Sequence, residues 1–301
     1  MHSDDPQPPA DDELPEGAGN APGPAGKDET LEGTEPAFPG GTGEDLEFGD
    51  FDPEADPAEE GKDSEEPEEK EIVIEFADSK VPSAKDMGEA MAWAFENESE
   101  PEGYVERCTQ HALLVLKAAK RMNIIKMIDP KEVAAKHYLE AWRTVEQLPL
   151  LGRTVMDVGS GGGFPGIAIA LAEVNTRVLL LEEDEQKCAF IAECIEKLKI
   201  PNATAVCERA EEYLLKNRVD VVFMREMSSV RENVRLLRKV RHSLYDLVMM
   251  KGASWSREVR AGEREAERLG FRLDTILEHE LPGEMGKRAA LVYRAPGGQG
   301  R

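Results

Sequence analysis

The chain has few cysteines, few histidines and no long apolar run. Its four cysteines, Cys108, Cys188, Cys194 and Cys207, form no C-x-x-C pair and no metal-ligand spacing. That argues against a cysteine-based metal site and predicts reduced, buried thiols in a cytoplasmic protein. No apolar stretch approaches membrane-spanning length, so no membrane partner is expected. The N-terminus is acidic where a signal peptide would be basic and then apolar. The histidines His2, His111, His137, His242 and His279 are scattered. There is no H-E-x-x-H, no meaningful Ser-His-Asp spacing and no internal repeat.

Charge is unevenly spread over the 301 residues. Residues 1–70 hold 24 of the 61 acids and only 3 of the 37 bases, so the rest of the chain is close to neutral. The low isoelectric point therefore describes the leading segment and leaves a nucleic-acid partner open. The same 70 residues contain 11 prolines and 10 glycines and few large apolar side chains. Such a composition predicts a disordered acidic tail, since it cannot bury enough surface to offset ordering entropy. A solvating tail is the simplest reading, and any partner it has is unknown. Residues 71–100 form an uncertain lead-in: 71–77 alternate like a short strand, and Ser83 with Asp86 has the spacing of a capping box.

What the chain does contain is the stretch VMDVGSGGGFPG at residues 155–166. A strand runs into Asp157, then a turn carries Gly159, Gly161, Gly162 and Gly163, and Pro165 opens an apolar helical run. A turn of this kind at the carboxyl end of a parallel strand makes a nucleotide-sized crevice. The glycines alone are ambiguous. Gly161, Gly163 and Gly166 fit G-x-G-x-x-G, the spacing for NAD; Gly159, Gly161 and Gly163 fit G-x-G-x-G, the spacing for S-adenosylmethionine. Asp157 separates the two, because a carboxylate there repels a pyrophosphate and suits a sulfonium and ammonium. The ordinary alternative is a structural glycine turn without a ligand.

Downstream, apolar runs alternate between strand and helix periods. Strands are predicted at 154–156, 178–181, 203–207, 219–224 and 244–250, with helices at 167–172, 186–199, from about 210, at 230–240 and at 254–269. Three helices precede the glycine turn, from about 83, at about 101–122 and at 130–147. The chain ends in an antiparallel pair, 271–280 and 288–294. This order predicts an α/β fold, a mostly parallel Rossmann-like sheet with a C-terminal antiparallel hairpin, and a globular unit spanning 101–296.

Several strand ends carry candidate site residues. Glu182 ends the second strand about 20 residues after the glycine turn, where a carboxylate accepts from ribose hydroxyls. Glu183 and Asp184 beside it keep a solvated strand-end acid in play. Glu211, after the third strand, is placed to lie near an adenine, although helix starts attract acids anyway. Arg225 and Lys251 follow the fourth and fifth strands and put positive charge at the sheet's carboxyl edge. Arg231, Arg235, Arg238 and Arg241 or His242 share one helix face; Arg257, Arg260, Arg264 and Arg268 share another. Both faces suit phosphates; solvated faces paired with local acids are at least as good a reading, especially on the second helix, where Glu258, Glu263 and Glu265 are interleaved.

Taken together, 157–170, 179–191, 208–212, 224–226, 250–252 and 286–294 resemble the RsmG family (also called GidB), bacterial guanine-N7 methyltransferases of small-subunit ribosomal RNA. The upstream stretch 122–142 matches a family segment as well. The resemblance implies a class I S-adenosylmethionine-dependent methyltransferase fold and a substrate in 16S ribosomal RNA. It places cofactor positions on Gly159, Phe164, Ala210, Glu211 and Arg225 and the acidic ribose position on Glu182. His137, Arg231, Lys251 and Arg288 are the expected RNA contacts, with Arg225 nearest the chemistry. Guanine N7 has a lone pair and no proton, so alignment alone suffices and no general base or metal is expected. The chain departs from the family at Ile125, Ala141 and Glu226, on the substrate side. A diverged paralogue with another substrate, an NAD-dependent oxidoreductase and a non-catalytic binding protein are the rival readings.

Overall fold

The computed structural model describes residues 81–298. The expected tail 1–70, the alternating stretch 71–77 and His2 lie outside the described residues. The helices before the glycine turn are α1 (Ala84–Ala94), α2 (Tyr104–Ala119), α3 (Pro130–Val133), a π-helical segment Ala134–Leu139, and α4 (Glu140–Val145). Ser83 caps α1 and exchanges bonds with Asp86, as the capping-box spacing predicts. Asp129 caps α3 just before Pro130, a residue suited to a first helical turn. The expected single helix over 130–147 is thus broken by a wider turn. Inserted residues of this kind recur at functional sites.

The remaining elements are β1 (Thr154–Val158), α5 (Gly166–Ala172), β2 (Arg177–Leu181), α6 (Glu185–Lys197), β3 (Ala203–Val206), α7 (Ala210–Lys216), β4 (Val221–Arg225), α8 (Val230–Leu236), β5 (Asp246–Lys251), α9 (Trp255–Arg268), β6 (Arg272–Leu281) and β7 (Gly286–Arg294). The seven strands form one sheet in the order β3-β2-β1-β4-β5-β7-β6. β1 to β5 are mutually parallel, while β7 runs antiparallel between β5 and β6. This is the expected mostly parallel sheet with its antiparallel hairpin.

Period-two alternation sorts the strand side chains into two cores. Val155, Val178, Leu180, Phe223, Val248 and Val292 face one way, with α1, α2, α4, α5 and α6. Met156, Leu179, Leu181, Val222, Met249 and Leu291 face the other, with α7, α8 and α9. Both sheet faces are covered, as purely parallel strands require. One expectation is corrected: Cys188 on α6 and Cys207 after β3 form a disulfide, with Cα atoms 5.7 Å apart. Their sequence spacing says nothing of this, because the pairing is made by the α6–β3 packing. Cys108 and Cys194 are free and buried, as expected.

Candidate cofactor and substrate site

The glycine turn follows β1 at the carboxyl edge of the sheet. Gly159, Gly161 and Gly163 have φ of 69°, 54° and 93°, in the left-handed region that favours glycine. A Cβ on Gly163 would lie 2.8 Å from Ile167 Cδ1 and 3.2 Å from His111 Nε2, so this turn is closed by packing as well as by conformation. Asp157 is fully buried; its Oδ2 accepts from Gly166 N–H at 2.9 Å, which fixes the start of α5. Its Oδ1 has no hydrogen-bond partner. Burial raises its pKa to about 6 against the pull of the Ser160 and Gly166 hydrogen bonds.

Beside the turn lies a cleft of about 140 Å³ lined by Gly159, Glu182, Ala210 and Glu211, together with Val158, Leu181, Met227 and Leu236. Four of the expected cofactor positions therefore meet in one place, delivered by the ends of β1, β2 and β3. Glu182 Oε2 accepts from Gly161 N–H at 2.9 Å and Oε1 from Asp184 N–H at 3.2 Å, so the acid is held across the turn. Apolar side chains beside two carboxylates suit a flat base on a dihydroxylated sugar. The same carboxylates, with Glu183 and Glu208 on the lining, disfavour a pyrophosphate.

Phe164 does not line this cleft. It is buried, with the His137 ring stacked on it at 4.4 Å between centroids and His111 and Tyr138 at 5.1 and 5.2 Å. Tyr138 Oη and His111 Nδ1 are hydrogen-bonded at 2.9 Å. Phe164 thus joins the turn to α2 and the π-helical segment. Two of the scattered histidines converge here. The signal for His111 was its place on the inward face of α2 with Cys108, Ala112 and Val115.

Arg225 was expected to face the incoming base from the rim. Its side chain is 8 % exposed and turned under the rim. Nη1 donates to His137 Nδ1 at 2.7 Å and Nη2 to the Lys136 carbonyl at 3.1 Å. A widened helical turn leaves carbonyls free, and this one is used. Glu140, missed in the sequence, is the hub of the cluster. It is buried, 3.7 Å from Arg225 Nε and 3.9 Å from Arg288 Nε. Burial raises its pKa to about 7, with the two arginines pulling the other way. Burial first, and then Arg225, push His137 well below its usual range, so it is neutral. The signal for Glu140 was an acid among the apolar residues Leu139, Ala141 and Trp142. Buried atoms without a hydrogen-bond partner gather here: His137 Nε2, Glu140 Oε2, Arg225 Nε and Arg288 Nε.

The other expected RNA contacts lie elsewhere. Lys251 is buried; its Nζ pairs with Glu258 at 2.8 Å and donates to the Ser228 carbonyl, tying β5 to α8 and α9. Arg231 is exposed on α8 and donates to the Ala261 carbonyl at 2.8 Å. Of the departures, Ile125 and Ala141 are buried, and Glu226 takes a left-handed φ of 47° 3.8 Å from Arg225.

A likeness to a solved S-adenosylmethionine-dependent methyltransferase from Aquifex aeolicus covers 55% of this chain and 93% of that one, at 20% identity and a TM-score of 0.40. Among curated proteins, "Ribosomal RNA small subunit methyltransferase G" of Carboxydothermus hydrogenoformans is 26% identical over 185 residues, 60% of this chain and 79% of that protein. The protein of the same name from Symbiobacterium thermophilum is 31% identical over 207 residues, 65% of this chain and 84% of its own length. The model of the family described as rRNA small subunit methyltransferase G (GidB) matches residues 105–282, which takes in the glycine turn, the cleft, and Glu140, His137 and Arg225 of the buried cluster. The chain belongs to that family.

Proposed function

We propose that the protein transfers a methyl group from S-adenosylmethionine to guanine N7 of 16S ribosomal RNA in the small subunit. The observation that carries this is the cleft at the end of β1, where Gly159, Glu182, Ala210 and Glu211 meet inside the span that matches the family. S-adenosylmethionine, when bound, supplies a methyl group already activated on a sulfonium. Glu182 and Glu211 would hold the nucleoside end and Gly159 the backbone approach. Asp157, buried behind the turn, keeps the turn and α5 in register and adds negative charge near a cationic group. None of these residues has to take a proton, because guanine N7 reacts through a lone pair. Holding donor and acceptor in line is the main contribution, and effective molarities show how large that can be.

Arg225 and His137 support this reading from beneath: they tie the substrate-side helices to the sheet edge, and Arg288 approaches the same cluster. The RNA itself would lie over that edge. Cytoplasmic residence belongs to the same proposal; among the described residues no helix is long and apolar enough to cross a membrane. The test is incubation of the purified protein with methyl-labelled cofactor and small subunits from a strain lacking its own enzyme of this family. Label is expected in 16S RNA, released as 7-methylguanine. Label in another base, or none, would sink the assignment.

A further inference from the structure

A second surface stands apart from the cleft. Helices α8 and α9 cross closely: a Cβ on Gly262 would lie 2.7 Å from Val230 Cγ1, and glycine permits the approach. Along this crossing runs an open groove of about 440 Å³ lined by Arg231, Arg235, Arg260, Arg264, Glu265 and Arg268. Only one acid is present, and it is already shared: Glu265 accepts from Arg235 at 2.8 Å and from Arg268 at 2.8 Å. Arg260 and Arg264 are exposed and make no hydrogen bond or ion pair among the described residues.

α9 carries as many acids as bases, but it sorts them. Arg260, Arg264 and Arg268 recur every fourth residue on the groove side. Glu263 and Glu267 recur the same way on the adjoining stripe, about 80° round the helix, where they line a separate hollow with Phe271 and Tyr293. Three arginines in that register place a guanidinium about every 6 Å along the helix. A neighbouring hollow continues the track: it shares Arg235 with this groove, adds Arg238 and Lys239 beside one further acid, Glu232, and shares Glu211 and Leu236 with the cofactor cleft. A line of forked donors leading from the methyl-transfer site is what an extended phosphodiester backbone fits.

We infer that the α8–α9 groove is a second RNA contact, which grips the phosphate backbone of the small-subunit RNA away from the target base. The inference rests on the proposed function for the identity of the RNA. It does not depend on the methylated atom. The groove contributes affinity without base recognition, because arginine–phosphate contacts carry charge and no sequence information.

The test measures binding and methylation separately, using fluorescein-labelled small-subunit RNA and the full chain. An Arg260→Gln/Arg264→Gln variant removes two arginines without stranding an acid. Its RNA affinity is expected to fall roughly tenfold at moderate salt. The slope of log affinity against log salt should shrink by about 1.4, the loss expected for two single-strand phosphate contacts. S-adenosylmethionine affinity and kcat at saturating RNA should stay unchanged. A control, Arg177→Gln/Arg218→Gln, removes equal charge from the amino edge of the sheet and should leave the slope alone. Equal slopes for wild type and the groove variant overturn the inference, as does an equal loss in the control. RNA binding lost in the groove variant, with wild type labelling no guanine, would keep the groove and remove the proposed reaction.

Discussion

Gly161 is the residue at which backbone conformation meets the acid that faces the cleft. Its φ of 54° is open to glycine and strained for a β-branched side chain, and its N–H holds Glu182. Gly161→Val is expected to abolish S-adenosylmethionine binding by calorimetry while far-UV circular dichroism is kept; normal binding would place the cofactor elsewhere. Arg225, expected at the open carboxyl edge of the sheet, is instead a buried structural link. Buried between His137, Lys136 and Glu140, it cannot be removed without leaving the acid with one arginine fewer. Arg225→Ala should lower stability by about 3–5 kcal/mol, the range for breaking a buried pair, and an unshifted melting curve would return Arg225 to the surface. Glu140 provides a pH signature. Its folded-state pKa is raised from 4.5 to about 7, so its contribution is complete below pH 4.5 and is lost as pH rises through about 7. The melting-temperature advantage of wild type over Glu140→Gln should therefore shrink from pH 5 to pH 8; a constant difference would mean that Glu140 titrates normally.

At the scale of elements, strands and helices were legible because period and punctuation agree. Val178–Leu181 is a continuous apolar run and becomes a strand buried on both faces, and Ser83 with Asp86 announces α1. Most of the cleft was legible for the same reason, since Gly159, Glu182 and Glu211 follow strand ends, and strand ends converge by topology; Ala210 came only from the family resemblance. The Glu140–Arg225–Arg288 cluster was not legible. It depends on how α4 docks on β4 and β7, and no local spacing encodes that docking. The π-helical segment escaped because its residues have an ordinary helical pattern and only tertiary contacts widen the turn. The Cys188–Cys207 bridge escaped likewise. It closes a loop with a separation of 19 residues beside the wall of the cofactor cleft. Chain-entropy arguments give such a bridge about 3 kcal/mol. Cys188→Ser should lower Tm by roughly 6–12 °C for a domain of this size, measured without reductant. A curve unchanged by the substitution, and by dithiothreitol on wild type, would show that the bridge contributes nothing.

For the molecule as a whole, ligand binding and folding are linked. A ligand that binds only the folded state stabilises it by about 2.7 kcal/mol at a hundred times its Kd. S-adenosylmethionine at that excess should raise Tm by roughly 5–10 °C, and NAD at equal concentration should leave it unmoved. The reverse pattern would favour the oxidoreductase reading. The strand order has a consequence for how the protein is made. β7 is the last strand among the described residues, yet it lies inside the sheet, between β5 and β6. A growing chain that has already emitted β1 to β6 still has β5 without its outer neighbour and β6 without any. Residues are added at about 5–20 per second, and domains fold largely as units. The sheet therefore closes only once Gly286–Arg294 has been made and is free of the ribosome. Until then both edges are unpaired, and a chain cut short before Gly286 lacks Ala289, Leu291 and Tyr293, which belong to the second core.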